Sequence, residues 1–247
     1  MEDIREKAIK KGRKKLKESQ NRDKLIIKAV NFLDQSNNNF NHEMERFRDW
    51  YSLHFPELTK EITKDEHLIK ILSNGVKRNE ISSFESMAKE STGMPLNKKD
   101  IELLEESLEI LERKLENREK IKKYVSEIAD DEIPNLKQVL GPLLAARLIS
   151  LTGGLEELAK KPASTVQMLG AEKALFRYLH GKGTPPKHGI LFQHNFVNSL
   201  PEENRGKMAR FLANKSVMAA RLDQYGDKNK GEELREECQQ RFEELKE

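Results

Sequence analysis

Residues 141–193 read GPLLAARLISLTGGLEELAKKPASTVQMLGAEKALFRYLHGKGTPPKHGILFQ, the least polar and most glycine- and proline-marked part of the 247-residue chain. Pro142–Leu151 is apolar on nearly all faces, which predicts a central buried helix, and Gly153-Gly154 ends it. A short helix follows over Leu155–Lys160 until Pro162 stops it, and Ser164 or Thr165 is placed to cap the next turn. Ala171–Leu179 reads as helix again, and Gly181, Gly183, Pro185, Pro186 and Gly189 then make an irregular connection. So much turn chemistry in so short a span is typical of a surface that holds a ligand.

The flanking sequence reads as its mount. Leu25, Ile26, Ala29, Phe32, Leu33, Phe40, Met44, Phe47 and Trp50 recur at three- and four-residue spacing from Asp23 to Tyr51, with Asp23 as cap. Asn37, Asn38 and Asn39 interrupt that seam, and Pro56 closes the segment. Two short helices, Asp65–Val76 and Ile81–Glu90, precede the breaker Thr92-Gly93-Met94-Pro95. A third long helix starts at Asn97 or Asp100, with Ile101, Leu104, Leu108, Leu111 and Leu115 in a 3-4-3-4 rhythm that Ile121, Val125 and Ile128 continue. The two long helices predict an antiparallel rod about 40 Å long at about 1.5 Å per residue. The leftover apolar tip can be capped within the chain or by a second copy, and because short helices there have little else to bury against, a homodimer through the coiled coil is the favoured expectation. Beyond Pro134, helices are expected over Pro201–Leu212, Ser216–Tyr225 and Lys230–Lys246. No strand alternation is long enough to build a sheet, so the class is all-α. The divisions are a charged lead-in over 1–22, a coiled-coil domain over 23–133 and a compact helical domain over 134–247.

Charged residues make up 35% of the chain and hydrophobic ones 36%, a polar balance that suits elongated helices. The net charge of +3 argues for no partner by itself, but its distribution is uneven. Residues 160–221 hold eleven Lys or Arg against three acids, and the balance reverses after Asp227. Cys238 stands alone, which excludes a disulfide framework and a thiolate metal site and suits a reducing, cytoplasmic compartment. No stretch approaches a membrane span, and the first residues, MEDIREKAIKKGRKK, are no signal peptide.

Several residues are candidates for binding. Gly170, Ala171, Glu172 and Lys173 precede or open a helix, where free backbone N–H groups attract phosphate oxygens. Lys173 and Arg177, four apart, share a face, while Glu172 is free to accept an N–H from a base or a partner. The plainer alternative makes Gly170 a turn and Glu172 a first-turn acid facing the helix dipole. Gly181-Lys182-Gly183-Thr184 lacks the spacing and the strand of a nucleotide-triphosphate loop. The two prolines after it stiffen a loop that presents Lys187 and His188, an ammonium for phosphate and an imidazole for stacking on a base. Arg205, Lys207, Arg210, Lys215 and Arg221 form either a positive flank for a nucleic-acid backbone or a solvated helix face. His180, His188 and His194 show no ligand spacing with acids or Cys238, and Ser164 and Thr165 lack a base, so neither a metal, a cofactor nor an enzyme is expected.

The stretch 141–193 closely resembles the Nop domain, whose hallmark is the block Gly170–Arg177, GAEKALFR, and Trp50–Leu58, WYSLHFPEL, resembles the coiled coil ahead of it in archaeal members. The resemblance covers roughly residues 20–247 and implies an all-helical, non-catalytic scaffold of box C/D small ribonucleoproteins, which guide RNA 2′-O-methylation. It implies four partners: box C/D guide RNA folded as a kink-turn, the small ribosomal-protein-like partner bound to it, a second copy through the coiled coil, and fibrillarin. Fibrillarin is recruited by the family's N-terminal domain, of which residues 1–22 read as a boundary remnant, and the resemblance leads us to expect that the rest of that domain and the family's basic C-terminal tail lie outside this sequence. The implied location is the archaeal cytoplasm, nucleolar in eukaryotic relatives. By position, Gly170, Ala171, Glu172, Lys173 and Arg177 take the hallmark places facing RNA, and Lys187, His188 and Gln193 fall in the loop laid against the kink-turn. Arg205, Lys207, Arg210, Lys215 and Arg221 fall on helices flanking guide RNA, and Leu143, Arg147 and Leu151 serve either packing or the surface for the bound protein, with packing favoured. A splicing relative shares the domain, but the wording of residues 170–173 favours the methylation particle. The rival from another class is a plain coiled-coil assembly protein whose basic patch only confers solubility.

Overall fold

The computed structural model describes residues 5–6, 9–13 and 22–246, and every regular element among them is helical. The expected lead-in over 1–22 lies mostly outside the described residues. The chain divides into two compact units, residues 32–121 and residues 1–31 with 122–247. No described helix is long and apolar enough to cross a membrane.

In the first unit the long helices α1 (Asp23–Tyr51) and α5 (Lys98–Glu132) run antiparallel: the Arg118 guanidinium lies 4.7 Å over the Phe40 ring, and one turn back Lys114 pairs with Glu43. Between them come α2 (Pro56–Glu61), α3 (Asp65–Leu72) and α4 (Glu85–Lys89). Phe40, Met44, Phe47 and Tyr51 of α1 face Ile101, Leu104, Leu108 and Leu111 of α5 in one buried cluster. Asn97 and Asp100 start α5 together, each side chain accepting the other's backbone N–H at 3.0 Å. The seam differs from its sequence reading in detail. Val30 is fully buried whereas Leu25 and Phe32 are exposed, because the contact stripe steps 26, 30, 33, 37, 40, 44, 47, 51 and leaves those two on its shoulder. Asn37 occupies one of those steps with its Oδ1 buried and unpartnered among the described residues.

Pro56 starts α2 instead of closing the segment, since its missing N–H costs nothing in a first turn. Arg48 ties the far end of that helix, donating to the carbonyls of Ile62 at 2.7 Å and Thr63 at 3.1 Å while pairing with Asp65 at 2.6 Å. The tip covers itself: Leu68, Ile69, Leu72, Val76 and Ile81 are all buried within the unit, so a second copy is not needed to shelter it. Glu57 fastens the breaker segment by accepting from Ser91 Oγ at 2.6 Å and from Thr92 N–H at 2.9 Å, which holds its pKa down at about 2.

The second unit is built round α12 (Glu202–Tyr225). The two helices expected there are one, because Ala213-Asn214-Lys215 contains no breaker and its Ala209, Ala213, Ser216, Ala219 and Ala220 let neighbours approach closely. Around it stand α6 (Pro134–Leu140), α7 (Pro142–Thr152), α8 (Leu155–Lys160), α9 (Ala163–Met168), α10 (Glu172–Leu179), α11 (Asn195–Asn198) and α13 (Gly231–Lys246). The expected central helix, α7, buries Leu144, Ala145, Ala146, Leu148 and Ile149 but leaves Leu151 45% exposed, so α12 and not α7 is the axis, and Leu151 is not a packing residue. Two buried aspartates cap helices other than their own. Asp23 Oδ2 accepts the Leu155 N–H at 2.9 Å at the start of α8, and Asp223 accepts from Asn135 and Leu136 at 2.9 Å at the start of α6. Helix α9 begins on Pro162 with no side-chain cap, so neither Ser164 nor Thr165 has that role.

Candidate nucleic-acid interface

The hallmark turn and the proline loop are separated by some twenty residues and are clipped together by backbone. Ile190 N–H donates to the Leu169 carbonyl at 2.7 Å. The crossing requires glycine on both sides. A Cβ on Gly170, at φ +78°, would lie 3.1 Å from Ile190 Cβ, and one on Gly189, at φ +48°, would lie 2.3 Å from the Leu169 oxygen. Gln167 adds a second tie, its Nε2 donating to the Lys187 carbonyl at 2.6 Å. The loop is therefore fixed at its base, as two prolines suggest for its backbone.

Between α10 and the loop runs a groove of about 640 Å³, whose cationic lining is Arg177, Lys182 and Lys187, with His188 and Glu202 also on its wall. Arg177, Lys182 and Lys173, the last of these four residues before Arg177 on α10, are exposed. Among the described residues Lys173 has no ion pair, and Lys187 makes a loose, exposed one with Glu202 at 3.6 Å. The His188 ring stacks on Phe192 with centroids 4.8 Å apart. Burial, then the charges of Arg205 and Lys187, hold its pKa below the ordinary histidine value, so it is a neutral ring at pH 7. On α10 Phe176 and Leu179 are more than 60% exposed beside these cations.

Other residues selected from sequence have internal work. Glu172 accepts the Gly170 N–H at 2.8 Å, so one carboxylate oxygen closes the turn that carries it. Gln193 accepts from Arg147 Nη1 at 2.8 Å. The five basic residues of the expected flank do not share a face, since one helix turning about 100° per residue spreads them round its circumference. Arg205 donates to the Leu200 carbonyl at 2.8 Å, and Arg221 to the Ala159 carbonyl at 2.9 Å, closing the end of α8. Lys215 pairs with Glu237 with only 12% of its side chain exposed. Lys207 and Arg210, three residues apart, remain outward. Sequence reasoning passed over Gln167, Lys182 and Arg241; Lys182 was legible in the local charge excess, the other two only once α9 and α13 were placed. No group of three or more His, Cys, Asp or Glu side chains among the described residues is arranged to hold a metal ion.

These features define an all-helical protein with a rigid, positively charged groove. The chain belongs to the Nop family, described as snoRNA binding domain, fibrillarin, whose pattern matches residues 32–244. It is 37% identical over 242 residues to an uncharacterized NOP5 family protein of Methanocaldococcus jannaschii, covering 92% of this chain and 58% of that protein. It is 34% identical over 253 residues to nucleolar protein 56 of Homo sapiens, covering 94% and 43% respectively. The chain thus spans about half the length of the curated relatives it matches. A chain in the crystal structure of a fibrillarin/Nop5p complex shares its fold with a TM-score of 0.60 and 25% identity, over 99% of this chain and 78% of that one.

Proposed function

We propose that the protein is a non-catalytic scaffold of a box C/D ribonucleoprotein, which grips a kink-turn guide RNA together with the small protein bound to it and so supports guide-directed 2′-O-methylation by fibrillarin. The observation that carries this reading is the groove of Arg177, Lys182 and Lys187, held open by the Ile190–Leu169 and Gln167–Lys187 hydrogen bonds. A preorganised cationic cleft loses little entropy on binding and takes phosphate by neutralisation, which makes affinity salt-dependent. The exposed Phe176 and Leu179 beside it supply an apolar contact for the small protein partner. RNA recognised by shape suits a site whose donors are mostly charged and whose one ring, His188, is neutral. Fibrillarin is a partner of the assembled particle and is assigned to no residue of this segment. The setting is the cell interior, cytoplasmic in an archaeon and nucleolar in a eukaryote.

Self-association belongs to the same reading, with a changed location. The tip is closed, but Leu103 and Ile110, seven residues apart on α5, are 51% and 54% exposed. Ile110 borders an open cleft with Trp50 and Phe47. That second stripe, not the tip, is the face offered to another copy.

The test is a gel-shift titration with kink-turn RNA, with and without its small protein. The unsubstituted chain should bind the RNA–protein complex, and Lys173→Ala and Lys187→Ala should each weaken it severalfold and lower the salt slope by about one. Helicity and oligomeric state should be unchanged. Equal binding by both variants sinks the assignment; methyl transfer from S-adenosylmethionine by this chain alone sinks the non-catalytic part.

A further inference from the structure

A second cationic groove lies on the other side of the loop; the sequence reading placed its Lys207 and Arg210 on a diffuse flank but did not join them to Gln167, Phe211 and Arg241. Its volume is about 570 Å³, inside the range of roughly 300–1,000 Å³ usual for ligand clefts. Gln167 of α9 forms one wall, Lys207, Arg210 and Phe211 of α12 the floor, and Arg241 of α13 the opposite wall. Pro186 and Lys187 line both this groove and the one beside α10, so a single ridge divides them.

The chemistry of this groove differs from that of its neighbour. Phe211 is half-buried, and Lys215 Nζ lies 5.4 Å from its ring centroid, a contact that fixes the ring from one side. Lys215 is itself held by Glu237, so the ring is anchored while the groove passes over it. Lys207 donates to the neutral Asn204 Oδ1 at 2.9 Å, makes no ion pair among the described residues, and so keeps its charge available. Arg210 is exposed with no ion pair among the described residues, and Arg241 uses one nitrogen on Glu244 at 2.6 Å, leaving the rest of its guanidinium. Gln167 spends its Nε2 on the Lys187 and Gly206 carbonyls, at 2.6 and 3.5 Å, and its oxygen is left as an acceptor on the wall. At Gly206, α12 lies against the loop, where a Cβ would make an ordinary van der Waals contact with Lys187 Cβ at 3.6 Å.

An anchored aromatic ring bracketed by cations in a cleft of nucleotide size suits an unstacked base with its flanking phosphates, not a duplex, whose bases are engaged with each other. We propose that this groove binds single-stranded RNA: one base stacks at Phe211, Lys207, Arg210 and Arg241 meet the flanking phosphates, and the strand reaches it across Lys187 from the stem held in the first groove. The inference rests on the kink-turn reading and adds a second site to it, one that would hold the unpaired strand as it leaves the folded element.

The experiment uses the whole chain and two RNAs, each carrying the small partner protein: the kink-turn stem alone, and the stem with a single-stranded extension of about eight nucleotides at either end. The unsubstituted chain should bind one of the extended RNAs on the order of tenfold tighter than the bare stem. Phe211→Leu, which keeps the apolar volume, and Arg241→Gln should each abolish most of that gain and leave bare-stem affinity within about twofold. No gain for either extension, or equal losses on both RNAs, overturns the second site while the kink-turn reading survives. Failure of the unsubstituted chain to bind even the bare stem overturns both. Circular dichroism of the two variants distinguishes a lost contact from a lost fold, and a melted Phe211→Leu leaves Arg241→Gln, on the surface of α13, to decide.

Discussion

Gly189→Ala tests whether rigidity of the interface comes from the backbone clip. Three costs follow from the geometry. At φ +48° an alanine sits in the left-handed region at about 1–2 kcal/mol. Its Cβ would also lie 2.3 Å from the Leu169 carbonyl oxygen, where real contacts are not under 3.0 Å, so the two must part by at least 0.7 Å, the difference. The same oxygen accepts the Ile190 N–H at 2.7 Å, and a hydrogen bond stretched by that much forfeits about 1 kcal/mol. Against these stands the reduced entropy of the unfolded chain, about 0.4–1 kcal/mol in favour of alanine. The balance is a loss of roughly 1–2.6 kcal/mol. Gly183→Ala is the control, since Gly183 also has positive φ, +87°, but nothing lies within 4 Å of its Cβ, so it lacks the hydrogen-bond loss and its net cost should be about 0–1.6 kcal/mol, roughly 1 kcal/mol below that of Gly189→Ala. Denaturant unfolding gives the magnitudes, and hydrogen exchange of the Ile190 amide locates the damage. Gly189→Ala should also weaken RNA binding, because the groove loses its fixed width. Equal stability of the two variants, with the Ile190 amide equally protected, would refute the argument that the clip holds the loop.

Two more outcomes are expected. Glu57 has its pKa lowered to about 2 from an ordinary 4.5, chiefly by the Ser91 hydroxyl and then the Thr92 amide. Because the folded value is the lower one, its contribution is complete above pH 4.5 and disappears as pH falls toward 2. The Thr92 amide resonance should move through that window, and Glu57→Gln should leave it pH-independent; a transition near 4.5 would mean the contacts do not hold the charged form. Glu202→Gln removes the acid that competes for Lys187 in the first groove. The pair is exposed at 3.6 Å and worth at most about 1 kcal/mol, so RNA affinity should rise roughly two- to fivefold, and an unchanged or lowered affinity in the same titration counts against phosphate at Lys187.

The sequence made the helices legible because their signals are local. Asn97 and Asp100 are read as a start and form a reciprocal cap, and the 101–104–108–111 rhythm is the buried edge of α5. Errors arose where two local rules competed or where the partner lay far away. Pro56 reads equally as a stop or a first-turn residue, and only the packing of Leu58 selects the second. Asp23 reads as the cap of its own helix, but its carboxylate is drawn 132 residues along the chain to Leu155. The hallmark block was recognised as a pattern. Its joining to the proline loop was not legible, since the clip is made of backbone atoms and asks of the sequence only two glycines among thirteen.

A local charge excess, then, locates an interface only after its structural cations are subtracted. Of the basic residues between 160 and 221, Lys215 is bound to Glu237, Arg205 and Arg221 close carbonyl ends, and Lys160 bridges Glu156 and Glu157. Arginine suits such posts because its planar fork satisfies several carbonyls while staying charged. Apart from the half-buried Lys161, which borders neither groove, what remains is Lys173, Arg177, Lys182 and Lys187 about the first groove and Lys207 and Arg210 about the second, with Arg241 joining them from an otherwise acidic helix. The subtraction turns one diffuse basic flank into two narrow clefts meeting at Lys187. A diffuse flank attracts any polyanion, whereas two clefts sharing the ridge at Lys187 are the feature on which the proposal of a bent RNA, rather than a straight one, rests.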